Sequence, residues 1–155
     1  MHQSVTNFNN VQSLIKANQE KTNNKNNIKI IAVSKTFEIS HINPLIDYGH
    51  TDFGENKVQE AIEKWTDIKN KNNKILLHLV GKLQSNKTKL ALKIFDYIHS
   101  LDSEKLANKI SEEQKKIGKK LKIFIQVNIG NEDQKSGIDP NKLSSFYKYC
   151  IDRDL

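Results

Sequence analysis

Ile28-Lys29-Ile30-Ile31-Ala32-Val33-Ser34-Lys35 is the stretch on which the fold turns. From Ile28 to Val33 the residues are mostly β-branched and apolar, the composition of a strand buried in a sheet. The run ends on Ser34, Lys35 and Thr36, where such a strand surfaces. A lysine at the mouth of an apolar strand loses part of its hydration. Desolvation disfavours the ammonium and favours the neutral amine, and a neutral amine attacks an aldehyde to form a Schiff base. The competing reading is a strand-end lysine that snorkels into water.

Outward from this strand the pattern repeats. Before it, Phe8, Val11, Leu14 and Ile15 are spaced for a helix over Val5 to Gln19, followed by a polar loop, so residues 1–27 form an N-terminal helix and loop. After it comes a helix with Ile42, Leu45 and Ile46 on one face, expected to be capped by Ser40 and stopped by Gly49. Thr51 to Glu55 reads as strand two. Asn56 to Lys69 reads as an amphipathic helix with Val58, Ala61, Ile62, Trp65 and Ile68 in one stripe. Strands are expected at Ile75 to Val80, Tyr97 to Leu101 and Leu121 to Ile129. Helices are expected at Lys87 to Phe95, Ser103 to Ile117 and after Asp139-Pro140.

Five strands alternating with helices over short connections imply right-handed βαβ units and a parallel sheet. Two α/β architectures fit: an open doubly wound sheet, or part of a (β/α)8 barrel with strands in chain order. The absence of any GxGxxG or GxxxxGK[ST] loop argues against the first. The 155 residues read as one domain.

Composition narrows the function. The net charge is +7, yet 24 of the 25 basic residues are lysine and only Arg153 is arginine. The lysines are scattered, and nucleic-acid readers favour arginine for its bidentate fork, so no nucleic-acid partner is expected. No 18-residue apolar run spans a membrane, no apolar leader opens the chain, and Cys150 is alone. A cytoplasmic protein without disulfides is the expectation. No HxH, HExxH or Cys/His cluster indicates a metal, and no GxSxG elbow indicates a hydrolase.

Unusual polar residues recur just after each strand: Lys35; Glu55 and Asn56; Gly81, Gln84, Ser85 and Asn86; Ser100, Asp102 and Ser103; then Asn128, Lys135, Ser136 and Gly137. In parallel α/β folds the carboxyl ends of the strands meet on one face, where sites are built. Each residue also has a plainer reading. Ser85, Asn86, Asp102 and Ser103 are potential helix caps, Glu55 a surface partner for a lysine, and His78 and His99 hydrogen-bonded residues within strands.

The segments IAVSK, FGENKVQE, HLVGKLQSNK, IHSLDS, QVNI and KSGI, in this order and spacing, resemble the pyridoxal-phosphate homeostasis proteins (the YggS/PROSC family) from about Ile28 to Ile138. The resemblance implies a barrel similar to the N-terminal domain of alanine racemase. It implies pyridoxal 5'-phosphate (PLP) held as an internal aldimine on Lys35, with Asn56 lining the cofactor and Lys135 as a second lysine near the site. It further implies a carrier of PLP, with apo PLP-dependent enzymes as acceptors, and no turnover reaction. Members of that family run to about eight βα units, whereas this chain holds five. The remainder is where the family places Ser/Thr and Gly donors for the cofactor phosphate and an Arg facing the pyridine nitrogen. Residues 1–155 are therefore expected to form an incomplete barrel, with an apolar edge open after strand five. A racemase- or decarboxylase-like enzyme and a truncated chain that binds nothing are the alternatives. The enzyme requires a second acid/base group, for which the sequence offers no identifiable residue.

Overall fold

The computed structural model describes residues 2–130 and 136–155. Helix α1 (Gln3–Thr22) comes first and packs against α2 (Ile39–Asp47). Five strands follow the expected alternation: β1 (Ala32–Val33), β2 (Asp52–Glu55), β3 (Leu76–Leu79), β4 (Tyr97–Leu101) and β5 (Lys122–Ile125). Between and after them lie α3 (Val58–Lys71), α4 (Thr88–Ile94), α5 (Glu104–Ile117) and α6 (Leu143–Ile151). All strand pairs are parallel, and the order is β1-β2-β3-β4-β5. A doubly wound sheet would place its first strand internally. Chain order with β1 at an edge is the arrangement of an unclosed barrel segment.

The register fixes two faces, because paired residues in parallel strands point the same way. Phe53, Leu77, Leu79 and Ile98 lie on the helix side and are fully buried with Trp65, Ala61, Leu92 and Ile110. The rings of Phe53 and Trp65 are 4.9 Å apart. The opposite face carries Gly54, His78, Tyr97 and Lys122, aligned by the pairs Gly54↔His78, His78↔Tyr97 and Tyr97↔Lys122. In a closed barrel this face would be the interior.

Several boundaries differ from expectation for physical reasons. The strand expected over Ile28 to Ser34 pairs only at Ala32–Val33. β1 has one neighbour, and β2 begins at Asp52, so earlier residues have no strand beside them. The fifth strand stops at Ile125, where the ladder with β4 shifts register between Ile98 and Leu101. Helix α2 begins at Ile39, which packs on the core, so Glu38 and not Ser40 is its N-cap. Ser85 and Asn86 open a 3-10 turn without capping α4 through a side chain. Ser103 does cap α5, its Oγ accepting from Leu106 N at 3.3 Å, and Gly118 ends that helix at φ +65°. Cys150 is buried in the core. Beyond β5, Ile129 is 84% exposed, as expected for an open apolar edge. Among the described residues no helix is long and apolar enough to cross a membrane.

Candidate functional site

Lys35 stands two residues beyond the β1 ladder, at the carboxyl end of the sheet. Its side chain is exposed and makes no hydrogen bond or ion pair among the described residues. The partial loss of hydration expected for a strand-mouth lysine is therefore not met in the open sheet. Residues on either side of it are tightly held. Ser34 N donates to Gly54 O at 2.8 Å, and Ser34 O accepts from Phe37 N at 3.2 Å. Thr36, inside that turn, has φ +66°. A β-branched residue in the left-handed region is a true outlier, so the turn carrying Lys35 is strained and must be held from outside.

Asn56 follows β2 directly and is half-buried, and its side-chain amide has no hydrogen-bond partner among the described residues. Its backbone lies against Gly81 in the segment after β3. A Cβ built on Gly81 would sit 2.2 Å from Asn56 O and 2.8 Å from its C and Cα. Glycine at 81 is thus required by the close approach of two strand-end loops. A second such approach joins the later segments. A Cβ on Gly137, at φ +141°, would meet Asn128 N at 2.6 Å. Val127 and Ile138 form a parallel bridge, Ile138 N donates to Gln126 O at 2.8 Å, and Asn128 N donates to Ile138 O at 2.9 Å. The Gln126 side chain donates to Ser136 O at 2.9 Å. These contacts draw Ser136 to Ile138 back onto the end of the fifth strand. Lys135 itself lies outside the described residues.

Two of the expected strand-end residues do not face the site. Glu55 shares the helix-facing side with Phe53 and is fully buried, not on the surface. Its Oε1 accepts from Ser34 Oγ at 2.7 Å, from Lys64 Nζ at 2.9 Å and from Trp65 Nε1 at 2.9 Å. Its Oε2 has no partner among the described residues. A lysine does pair with it, but inside the protein: Lys64 is only 16% exposed. Ser100 likewise lies on the helix side, buried with its Oγ unpartnered among the described residues.

The face opposite the helices holds a polar cluster that motif reading does not single out. Asp52 accepts from Lys29 Nζ at 2.9 Å, Thr51 Oγ1 at 2.8 Å and His78 Nε2 at 3.1 Å. A carboxylate only accepts, so His78 carries its proton on Nε2, and neutral His78 Nδ1 accepts from His99 Nε2 at 3.0 Å. His78 stacks on Tyr97 at 4.1 Å, and His99 stacks on Phe124 at 4.6 Å. Burial pushes Asp52 upward, but hydrogen bonds from Lys29, Thr51 and His78 outweigh it and leave the carboxyl below its usual value. Burial lowers His78 despite the pull of Asp52, and burial followed by the His78 neighbour lowers His99. Among the described residues no group of three or more His, Cys, Asp or Glu could hold a metal ion.

The strand ends thus present an exposed lysine amine and, among the described residues, an unpartnered amide on the loop packed against Gly81. A family model described as alanine racemase, N-terminal domain, matches residues 7–154. The pyridoxal phosphate homeostasis protein of Pasteurella multocida (strain Pm70) is 40% identical over 137 residues, which cover 88% of this chain and 59% of that protein. The structure of PipY from Synechococcus elongatus PCC7942 with PLP bound superposes with a TM-score of 0.72 at 34% identity, covering 83% of this chain and 60% of PipY. A protein from Bifidobacterium adolescentis described as unknown superposes with a TM-score of 0.84 at 30% identity, covering 92% and 61%. The chain spans about three fifths of the length of the curated relatives it matches.

Proposed function

Because this chain belongs to the alanine racemase N-terminal domain family, we propose that it binds PLP through Lys35 and serves PLP homeostasis, not turnover. The observation that supports the reading is the exposed Lys35 at the carboxyl end of the sheet, on a turn strained at Thr36 and without a hydrogen bond or ion pair among the described residues. Lys35 Nζ, once deprotonated, attacks the aldehyde carbon. The carbonyl oxygen departs as one water, and a carbon–nitrogen double bond joins lysine and ligand. Bound PLP supplies an aldehyde and an electron-accepting ring.

In this reading Asn56 lines the ligand, and Lys135 serves as a second amine for transfer to apo PLP-dependent enzymes. The homeostasis names of the relatives and the PLP-bound PipY support this reading over a racemase-like one. The cytoplasm, where apo-enzymes need supply, is the assigned location. Residues 1–155 act as one incomplete barrel domain, with residues 1–27 as its leading helix and loop.

The amine and the amide fit the aldehyde end of PLP. The phosphate end requires several aligned N–H donors, and by the resemblance these belong to the units beyond the fifth. A PLP titration followed by visible absorbance tests the reading. The wild-type chain is expected to develop the absorption of a lysine-bound aldehyde, and Lys35→Ala to lack it. Equal bands in both proteins would refute the assignment.

A further inference from the structure

The Lys35 side chain makes no hydrogen bond or ion pair among the described residues, so polar contacts that fix it must act through the backbone on either side. The peptide that leads into Lys35 is the one whose carbonyl belongs to Ser34. Lys64 Nζ donates to that oxygen at 2.9 Å, and the same ammonium is held at 2.9 Å by Glu55 Oε1. Glu55 Oε1 also takes the Ser34 hydroxyl at 2.7 Å. Helix α3 supplies Lys64 and Trp65, and β2 supplies Glu55, so the grip on Ser34 comes from two elements outside its own turn.

We propose that Glu55, acting with Lys64, is a positioning residue for Lys35: the buried ion pair clamps the Ser34–Lys35 peptide against the strain at Thr36. This rests on the reading of Lys35 as the PLP lysine. Three observations converge on it. The clamp touches the peptide adjoining Lys35 from both the hydroxyl and the carbonyl side. The turn it holds contains a β-branched residue at φ +66°, which does not persist unless its surroundings over-determine it. Finally, the arrangement is a poor device for stability alone. Glu55 is fully buried with Oε2 unpartnered among the described residues, and a buried ion pair can often be replaced by apolar side chains without loss of stability. A carboxylate kept there at such cost serves geometry.

The test is reduction of the PLP-treated 155-residue chain with borohydride, followed by peptide mass mapping of the label over all lysines. Thermal midpoints are measured in parallel. Four proteins are compared: wild type, Glu55→Gln, the double variant Glu55→Gln/Lys64→Met, and the core variant Leu92→Ala as a stability control. In wild type the label is expected to concentrate on Lys35. In Glu55→Gln its share on Lys35 is expected to fall about tenfold, the consequence of losing one charge-assisted contact. The double variant removes both buried charges, so its midpoint is expected to recover while the Lys35 share stays low. Leu92→Ala is expected to lower the midpoint and leave the share unchanged.

A wild-type share in Glu55→Gln or in the double variant overturns the clamp and leaves the reading of Lys35 intact. A share that follows the midpoint across all four proteins, Leu92→Ala included, also overturns it. No preference for Lys35 in wild type overturns the reading of Lys35 and the clamp together.

Discussion

Replacing Gly81 by alanine probes the packing that holds the Asn56 backbone at the carboxyl end of the sheet. The added Cβ would lie 2.2 Å from Asn56 O and 2.8 Å from Asn56 C and Cα, where ordinary contact begins at 3.4 Å. Relief requires one backbone to move by about 1.2 Å relative to the other. No side-chain rotation can provide it, because every atom involved is main chain. Overpacking of this kind costs typically about 1–3 kcal/mol. At about 2 kcal/mol a domain of this size loses roughly 4–8 °C of thermal midpoint. The displacement falls on the segment after β2, so the amide signals of Asn56 and Lys57 are expected to shift more than those of α5. Calorimetry with wild type alongside gives the midpoint, and two-dimensional NMR gives the location. An unchanged midpoint with unmoved Asn56 signals would refute the close-approach argument.

Other perturbations follow from the same contacts. Trp65→Phe keeps most of the buried ring but removes the indole donor to Glu55; a lost hydrogen bond to a charged group predicts about 1.5–3 kcal/mol less stability by urea unfolding. His78 and His99 are held below the ordinary value of 6.5 by burial. The unfolded chain therefore takes up protons first as pH falls, so their contribution is complete above about pH 6.5 and is lost below it. Denaturation midpoints are expected to drop between about pH 7.5 and 5.5, and to drop less in a His78→Asn/His99→Gln variant. The family resemblance implies that the phosphate donors belong to units beyond the fifth; at about 1.5–3 kcal/mol for each, equilibrium dialysis is expected to show PLP binding orders of magnitude weaker than in a full-length relative. Adding the C-terminal part of such a relative as a separate fragment is expected to restore it, and tight retention by residues 1–155 alone would contradict this.

Much of the architecture is legible in the sequence because hydrophobic period and turn residues agree. The stripe Val58, Ala61, Ile62, Trp65, Ile68 lies on the inner side of α3, and Gly118 closes α5 where a positive φ is needed. Five short-linked units without a phosphate loop correctly point to strands in chain order. Strand lengths are less legible, since β1 is an edge with one neighbour and β5 loses register at a bulge, and neither fact is local.

At the site, proximity in sequence to a strand end does not reveal which face a residue takes. Glu55 is the last residue of β2, whereas Asn56 begins the bend that follows it. The period of two from buried Phe53 places Glu55 with the core, and the α3 tryptophan needs an acceptor for its N–H. The same period from Leu77 and Ile98 puts His78 and His99 together on the other face. Those signals are present in the sequence but emerge only when strand register is considered jointly.

The central claim, that Lys35 is the PLP lysine, is tested most directly by the site of covalent attachment in the unaltered chain. Substoichiometric PLP, borohydride reduction and mass mapping locate the label among the 24 lysines. The account expects one dominant modified peptide containing Lys35, and its disappearance in Lys35→Ala without transfer of the label to another single position. A dominant label on Lys82, Lys87 or Lys135, or an even spread over surface lysines, would contradict it.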